Sequence, residues 1–335
     1  MLDLKTLETL RLSPRPPLQV AAAPLVRLNY RLSGVNVALE GLEHLPKDEP
    51  IFLAMNHTDR FNYIPFQSAL HNEGGYPFIA TWAKGKYFNN PILGWMLRKS
   101  GNIPVPSRGY LFSRDFLDTL GRPPTEADYK AIQTWKAAPH QSEPPDEDSP
   151  LRRLWTEKRV ILGRLFDPKA DDALSYPRFM DKLFDDMMAL FVDINAAALF
   201  DHRLLVQVFP QGTRSIRLSR GHTGIIQLAM HLNVPILPIG CNGTDRLYPG
   251  NSPWARGGRA VYRIGAPLRW DGALAPYRIA DPFKPFTHET SRRHGQRFQE
   301  AVDYLMDQIN RLLDEPYRYS LDRSSDGVQG SRRFL

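Results

Sequence analysis

Short apolar runs alternate along the chain with segments whose apolar residues recur every three or four positions. The runs predict buried strands, and the periodic segments predict helices. The predicted strands lie at 78–82, 101–105, 204–209, 234–239 and 260–264. The predicted helices lie at 60–70, 93–99, 179–198, 224–231 and 298–312. Strands that alternate with helices are typical of an α/β layered fold, so we expect a mixed sheet flanked by helices.

The segment 35–53 alternates apolar and polar positions and ends in the apolar run 51–53. Alternation with a period of two predicts half-buried strands. Two arrangements fit this segment, a hairpin or two separate short strands. In either arrangement the second strand ends at Asn56 and His57.

The pattern divides the chain into four parts. Residues 1–34 form an N-terminal helical segment, and residues 35–112 and 176–315 form one α/β domain. Residues 113–175 form a Pro-rich, acidic insertion, whose composition buries little apolar surface, so we expect it to be partly irregular. Both a plain linker and a functional lid fit this insertion. Residues 316–335 form a basic tail that we expect to be disordered.

The N-terminal segment contains a stretch, residues 18–32, in which apolar residues are mixed with Arg27 and Arg31. Such a stretch fits the interface of a membrane, and it fits packing on the core equally well. The longest apolar run near the start, residues 20–26, is far shorter than the roughly 20 residues that span a bilayer. The first residues also lack the basic start and unbroken apolar run of a signal peptide. We therefore expect a cytoplasmic protein that is peripheral on the cytoplasmic face of the membrane.

The net charge of the 335 residues is +7. A basic balance favours an anionic partner, which can be nucleic acid, phospholipid headgroups or a phosphorylated substrate. Nucleic acid is the weakest of the three, because the sequence has neither a basic and aromatic stripe nor a recognisable reading helix. We expect no nucleic-acid partner.

Cys241 is the single cysteine. One cysteine excludes a disulfide framework and a cysteine-based zinc site, and it favours a reducing compartment. The sequence also lacks the motifs G-x-x-x-x-G-K-[ST], G-x-G-x-x-G, H-E-x-x-H and G-x-S-x-G. We therefore expect neither a metal nor a cofactor. A nucleophile could lie where Cys241 follows a strand, but a buried, inert thiol is the favoured interpretation.

Three polar segments follow predicted strands, where α/β proteins place their sites. In the first, residues 56–62, His57 lies at the end of a predicted strand, just before a predicted helix. The ordinary pKa of histidine suits a general base, and a loop histidine without a role fits this position as well. The second, residues 209–215, offers backbone N–H groups, hydroxyls and the Arg214 guanidinium for a phosphate or carboxylate. The third, residues 101–108, ends in Arg108.

These segments and their order resemble the glycerolipid (lysophospholipid) acyltransferase superfamily, which includes the 1-acylglycerol-3-phosphate acyltransferases. The blocks of that superfamily read N-H-x-x-x-x-D, G-x-I-P-V followed by an arginine, F-P-E-G-T-R-S, and a V-P-I-x-P-V-like strand. They match, in order, residues 56–62, 101–108, 209–215 and 234–239. Lys84 and Arg220 lie in stretches similar to the A-K and K-G of the superfamily. The resemblance covers roughly residues 25–268, interrupted by the insertion.

The resemblance implies an acyltransferase with a glycerol-3-phosphate acyltransferase-like fold. His57 would take the proton from an acceptor hydroxyl, which attacks the thioester of acyl-CoA or acyl carrier protein. The partners implied are this acyl donor and a phospholipid membrane surface, and the sequence does not indicate the oligomeric state. The residues implied to hold the phosphate of the acceptor are Lys84, Arg108, Gln211, Gly212, Thr213, Arg214, Ser215 and Arg220.

Three positions depart from the pattern of the superfamily. Asn62 stands where the catalytic aspartate is expected, Gln211 stands where the third block has glutamate, and Arg108 is displaced by one residue. Asp59 could replace the missing carboxylate beside His57, or it could be a first-turn acid that favours the helix N-terminus. Two hypotheses follow. The protein is a working acyltransferase for a glycerol-phosphate or lysophospholipid-like acceptor, or it is a catalytically impaired relative that binds lipid or acyl carrier without turnover.

Overall fold

The computed structural model describes residues 1–170, 173–325 and 327. The strands are β1 (Val35–Glu40), β2 (Phe52–Met55), β3 (Ile79–Lys84), β4 (Ile103–Val105), β5 (Arg159–Ile161), β6 (Arg164–Phe166), β7 (Leu205–Val208), β8 (Ile236–Asn242) and β9 (Gly258–Ile264). The helices are α1 (Leu4–Glu8), α2 (Pro17–Ser33), α3 (Tyr63–Glu73), α4 (Pro91–Lys99), α5 (Arg108–Leu120), α6 (Glu126–Ala137), α7 (Arg152–Thr156), α8 (Tyr176–Ala196), α9 (Gly224–Leu232), α10 (Thr244–Leu247) and α11 (His288–Arg311).

A seven-stranded sheet in the order β1-β9-β8-β2-β7-β3-β4 forms the centre of the fold. Its neighbouring strands are parallel except for β8 and β9, which are antiparallel. The carboxyl ends of β2, β3, β7 and β8 therefore meet at one edge. The predicted α/β class, a layered mixed sheet flanked by helices, is confirmed.

Strand β2 lies in the middle of this sheet and is buried on both faces. Phe52 and Ala54 pack in the same core cluster as residues of α8, α9 and α11. Leu53 and Met55 pack on the other face with residues of α2 and α3. A strand covered on both faces is apolar throughout, which is why the apolar run was sufficient to predict it.

The strands β1 and β2 do not form the hairpin that was one of the two predicted arrangements. Strand β1 pairs in parallel with β9, and both β9 and β8 lie between β1 and β2. The second arrangement, two separate strands, is correct. Alternation predicts that a segment is a strand with one exposed face, but it contains no information about the neighbouring strand.

The insertion is more ordered than its composition predicts. Within the described residues of 113–175, the chain forms α6, α7, the β5–β6 hairpin and most of α5. The carboxylate of Asp115 accepts hydrogen bonds from the Arg159 guanidinium (2.6 Å) and the Tyr176 hydroxyl (2.8 Å), and these groups are surrounded by an aromatic cluster. The members of this cluster are Phe112, Trp135, Trp155, Phe166 and Tyr176. These aromatic residues are few, but because they pack against one another they order a segment that is otherwise polar.

The described part of the tail is also ordered, contrary to the prediction. A 3₁₀ turn, Glu315–Tyr317, follows α11, and Tyr317 is buried. The predicted disorder of the remaining residues, which include Arg332 and Arg333, concerns a part of the chain outside the described residues. At the other end of the chain, α1 packs against α8, and α2 packs against β1, α3 and α4. Among the residues that the structure describes, no helix is both long enough and apolar enough to cross a membrane.

Candidate active site

Two loops meet at the carboxyl edge of the sheet, where ligands bind in α/β folds. The first loop follows β2 and contains His57; helix α3 begins only at Tyr63, three residues later than predicted, because residues 57–62 form this loop. The second, residues 209–223, follows β7, and we call it the third-block loop. The backbone N–H of His57 donates to Oε1 of Gln211 (2.9 Å), and the N–H of Ser215 donates to the carbonyl oxygen of His57 (2.9 Å). The backbone of His57 is thus held between the two loops.

The imidazole of His57 is partly buried and stacks on the ring of Phe209, with centroids 4.1 Å apart and planes 16° apart. Its Nδ1 lies 3.1 Å from Oδ1 of Asn62. The Asn62 amide nitrogen donates to the carbonyl oxygen of Asn56 (2.9 Å), so its oxygen is the atom that faces the ring. Asn62 Oδ1 is an acceptor, and the proton of the neutral imidazole therefore lies on Nδ1. This tautomer leaves a lone pair on Nε2, and no hydrogen bond within the described part of the chain occupies it.

Burial lowers the pKa of His57 to about 3. The hydrogen bond with Asn62 opposes this change, whereas the positive charges of Arg214 and Lys84 lower the pKa further. An amide brings no negative charge to balance them. The imidazole is therefore neutral at neutral pH, which is the state that a general base requires.

Asn62 itself is held firmly. It is fully buried, and the hydroxyl of Tyr262 donates to its backbone carbonyl (2.5 Å). Asn56 makes a second brace, because its side-chain amide donates to the carbonyl of Cys241 (2.9 Å) and accepts from the N–H of Cys241 (2.7 Å). This pair of bonds joins the end of β2 to β8. Burial raises the pKa of the Cys241 thiol to about 12, so the structure favours the inert interpretation of this residue.

Asp59 is not at the imidazole. Its carboxylate accepts from the N–H of Phe61 (2.8 Å) and from the hydroxyl of Thr58 (2.9 Å), which in turn contacts the hydroxyl of Thr244. Burial raises its pKa, and these hydrogen bonds oppose the change. None of the hydrogen bonds among the described residues joins Asp59 to His57. The hypothesis that Asp59 replaces the missing carboxylate is therefore wrong. The short side chain of Asp59 accepts a hydrogen bond from the backbone of its own turn instead.

Gln211 braces the third-block loop and is almost fully buried. Its amide oxygen accepts from His57. Its amide nitrogen donates to Oγ of Ser219 (3.2 Å) and to the carbonyl oxygen of Arg217 (3.4 Å). A glutamate could accept from His57 but could not donate to the other two groups. The structure therefore uses the predicted substrate-binding Gln211 to hold the loop, and it shows why an amide fits.

The third-block loop turns at Gly212, whose φ of +64° is in the left-handed region that favours glycine. Thr213 and Arg214 follow this turn and remain partly exposed, while Ser215 is buried against His57. Arg220 has an exposed side chain on the same loop. These five predicted residues therefore lie on one loop, and two of them, Arg214 and Ser215, act on or contact His57.

Three cationic side chains follow the ends of β3 and β7, and two of them act on His57. The positive charges of Arg214 and Lys84 each lower the pKa of His57. Burial is the main cause of the lowered pKa of Lys86, and the charge of Arg214 lowers it further. Lys84 ends β3, and Lys86 lies in the 3₁₀ segment Gly85–Asn89 that follows it. Lys86 was not predicted; the only sequence signal is its position two residues after Lys84. The cluster is suited to an anion.

Arg108 is not part of this cluster, in contrast to the prediction. Its Nε donates to Asp181 (2.9 Å) and its Nη2 lies 3.6 Å from Asp185, both on α8. Its guanidinium also lies over the ring of Phe184, 4.0 Å from the centroid. Arg108 is therefore neutralised where α5 packs on α8. The displacement by one residue places it at the first position of α5, facing two carboxylates.

The described ranges contain no group of three or more His, Cys, Asp or Glu side chains arranged to hold a metal ion. The chemistry that this arrangement can perform is proton abstraction by a neutral imidazole beside an anion site.

Part of the chain is similar to known proteins. Residues 36–124 match the family model Acyltransferase. The matched range contains the first two blocks, with His57, Asn62, Lys84 and Arg108, and it confirms the resemblance to acyltransferases there. No curated protein matches the chain. Among solved structures, the chain is similar to the crystal structure of the 1-acyl-sn-glycerophosphate (LPA) acyltransferase PlsC from Thermotoga maritima, with 16% sequence identity, a TM-score of 0.40, and coverage of 87% of this chain and 79% of that chain.

Proposed function

We propose that the protein transfers a fatty acyl group from a thioester, acyl-CoA or acyl carrier protein, to a hydroxyl of a glycerol-phosphate or lysophospholipid-like acceptor. The observation that carries this proposal is the arrangement of His57, with its Nδ1 fixed by Asn62 at 3.1 Å, next to Arg214 and Lys84. His57, Asn62 and Lys84 lie in the segment 36–124, which matches the acyltransferase family model, and Arg214 lies outside it.

In the proposed reaction, Nε2 of His57 accepts the proton of the acceptor hydroxyl while the oxygen attacks the thioester carbonyl. A base is needed because a neutral hydroxyl is a weak nucleophile. The tetrahedral intermediate collapses with cleavage of the C–S bond, and the imidazolium returns its proton to the leaving thiolate. The products are an ester and a free thiol, and His57 is regenerated.

The cations around His57 support a phosphorylated acceptor. Arg214 from the third-block loop and Lys84 at the end of β3 both act on the imidazole, and Lys86 lies two residues after Lys84 and is within reach of the charge of Arg214. A phosphate held there would fix the position of the hydroxyl next to Nε2. Positioning of this kind lowers the activation barrier of a bimolecular reaction by several kcal/mol.

A second candidate function, lipid or acyl-carrier binding without turnover, is favoured by the same amide that orients His57. Asn62 fixes the tautomer but does not stabilise the imidazolium that forms when the base accepts a proton. In a serine protease the corresponding change from Asp to Asn lowers kcat about 10⁴-fold because the wrong tautomer forms; here Asn62 keeps the tautomer, and only the stabilising charge is missing.

The decisive experiment measures thiol release from a long-chain acyl-CoA with lysophosphatidic acid, glycerol 3-phosphate and other hydroxyl or amine acceptors. We expect the native chain to turn over, and we expect His57→Ala to lower kcat by about 10²–10⁴-fold, the usual contribution of a general base. His202→Ala, at a histidine outside the two loops, is the matched control. No turnover with any acceptor would favour the binding function, and turnover that does not depend on His57 would contradict its role as the base.

We also propose that the protein docks peripherally on the cytoplasmic face of a membrane through α2 and α4, which contact each other. Both helices present apolar side chains to solvent; the most exposed are Leu25, Leu28 and Leu32 on α2 and Ile92, Trp95 and Met96 on α4. Neither helix sequence contains an acidic residue, whereas Arg27, Arg31, Arg98 and Lys99 are basic. An apolar face with only positive charges is complementary to anionic phospholipid.

Sedimentation with vesicles tests this proposal. The protein should bind phosphatidylglycerol vesicles more strongly than phosphatidylcholine vesicles, and Trp95→Glu together with Leu28→Glu should reduce the bound fraction several-fold. Val160→Glu, at an exposed residue of the β5–β6 hairpin, is the control and should bind like the native chain. Equal binding of the variant and the control would contradict the proposal, and so would a stable dimer that uses this face and does not bind vesicles.

A further inference from the structure

The chain that follows α11 crosses the third-block loop. We call its described residues, 315–325 and 327, the C-terminal strap. After α11 the backbone passes the end of β8, where the N–H of Asp314 donates to Oδ1 of Asn242 (2.8 Å). This places the strap at the same edge of the sheet as His57.

The first contact between strap and loop is made at Tyr317. Its ring is buried, and its hydroxyl donates to the carboxylate of Asp245 (2.7 Å), which anchors the turn to α10. The backbone carbonyl of Tyr317 accepts from the N–H of Leu218 in the third-block loop (2.8 Å). Arg217 of the loop also lies 3.6 Å from Glu315 of the strap.

The second contact lies six residues further along. The carbonyl of Arg323 accepts from the N–H of Arg220 (3.2 Å). Arg323 is itself held in place, because its guanidinium lies over the ring of Tyr319 at 4.2 Å and 3.5 Å from Asp307 of α11. The strap is therefore joined to the body of the protein at each of these first two contacts with the loop.

The third contact reaches the residues proposed to bind the acceptor. A Cβ atom at Gly327 would lie 2.5 Å from the hydroxyl oxygen of Thr213 and 2.8 Å from the carbonyl oxygen of Arg214. Only glycine fits at this distance. The strap thus closes against the part of the loop that carries the partly exposed Thr213 and Arg214 side chains.

The loop also packs on α11 from behind. A Cβ at Gly221 would lie 2.8 Å from both Met306 and Val302, so this position also depends on the absence of a side chain. The loop is enclosed by His57 on one side, α11 on another and the strap on the third.

We propose that the C-terminal strap is a positioning element, which holds the third-block loop in the shape that presents Thr213 and Arg214 to the anionic group of the acceptor. This inference rests on the proposed function. A loop of 15 residues has many conformations when it is free, and binding groups held in advance lose less entropy when the ligand binds. The strap therefore acts on acceptor affinity through the loop and does not take part in the chemical step.

The test compares Gly327→Leu with Gly295→Leu, whose Cβ would have no atom within 4 Å. Leucine at 327 should displace the strap and raise KM for the phosphorylated acceptor several-fold while kcat changes less than about twofold, because binding that is equal in ground and transition states affects KM. The control should have the KM of the native chain. Thermal unfolding shows whether both variants are folded.

Hydrogen exchange of single amides gives a readout that does not depend on activity. A chain that ends at Ser320 lacks the partner of the Arg220 N–H but keeps Tyr317, the partner of the Leu218 N–H. The exchange of the Arg220 amide should become about tenfold faster or more, and that of the Leu218 amide should change little.

Unchanged exchange at Arg220 together with an unchanged KM in Gly327→Leu would overturn the proposal. A lower KM or higher kcat would also overturn it, because the strap would then block the site. If even the native chain has no turnover with any acceptor, the proposed function fails, and the exchange of Arg220 alone decides whether the strap holds the loop.

Discussion

The two loops of the candidate site are held in different ways. The loop after β2 is fixed by buried side-chain amides, because Asn62 bonds to Asn56 and Asn56 bonds to Cys241 of β8. The third-block loop has Gln211 as its internal brace and is otherwise held from outside, by His57, α11 and the strap. The first loop leaves one nitrogen, Nε2 of His57, for chemistry. The second leaves partly exposed side chains for binding. Changes in the first should therefore affect kcat, and changes in the second should affect KM.

Asn62→Leu should have the largest effect. The substitution removes the acceptor that keeps the proton on Nδ1, so the wrong tautomer becomes accessible and kcat should fall by about 10²-fold or more, with KM unchanged. Steady-state kinetics with acyl-CoA measures both values. A rise in KM without a change in kcat would show that the two loops do not divide the work in this way.

Arg214→Gln should have the next largest effect, on KM. A hydrogen bond to a charged group contributes about 1.5–3 kcal/mol, so KM for a phosphorylated acceptor should rise about 10- to 100-fold. The control is an acceptor without phosphate, such as a monoacylglycerol, whose KM should not respond. If both acceptors respond equally, Arg214 does not bind the phosphate.

Gln211→Glu introduces the residue that the acyltransferase superfamily has at this position, and here it should destabilise the fold. The carboxylate cannot donate to Ser219 or to the carbonyl of Arg217, so the free energy of unfolding should fall by about 1–3 kcal/mol. Urea unfolding measures the change, and Gln141→Glu at an exposed position is the control. Equal stability of the two variants would mean that the brace is not needed.

The pH profile distinguishes the amide from a carboxylate at position 62. A general base is active only when it is unprotonated. The pKa of His57 is lowered to about 3, mainly by burial. As the pH falls, kcat/KM of the native chain should therefore not decrease until the pH is well below the ordinary histidine pKa of about 6.5. In Asn62→Asp the added negative charge should raise this pKa, so that the decrease begins about one to three pH units higher. A native profile with an apparent pKa near 6.5, or a variant profile that does not move, would contradict the assignment.

The elements of the sheet could be predicted because each depends on neighbouring residues. Strands β2, β7 and β8 are buried on both faces, so their residues are mostly apolar, and α8 and α11 are long enough to show a helical period. The pairing of β1 with β9 could not be predicted, since these strands are more than 200 residues apart in the sequence. The insertion was predicted from its average composition, and the few aromatic residues around Asp115 that order it do not change that average.

The same distinction applies to the candidate site. His57 and Asn62 are five residues apart, and the resemblance to the N-H-x-x-x-x-D block implied that they would meet. Arg108 has a block position similar to that of an anion-binding arginine, yet Asp181 and Asp185, which neutralise it, lie on a helix more than 70 residues later. Lys86 and the strap had no motif that would have indicated a role.

The sequence by itself therefore determined the α/β class, the strand ends that carry polar residues, and His57 with Asn62 as the centre of the candidate site. These features depend on periodicity and on residues close together in the chain. Only the tertiary structure decided that Gln211 is a brace, that Asp59 faces away from the imidazole, that Arg108 is paired elsewhere, and that the described tail crosses the third-block loop. The physical reason is that charge neutralisation and close packing depend on which distant residues share a surface, and that arrangement exists only once the sheet has assembled.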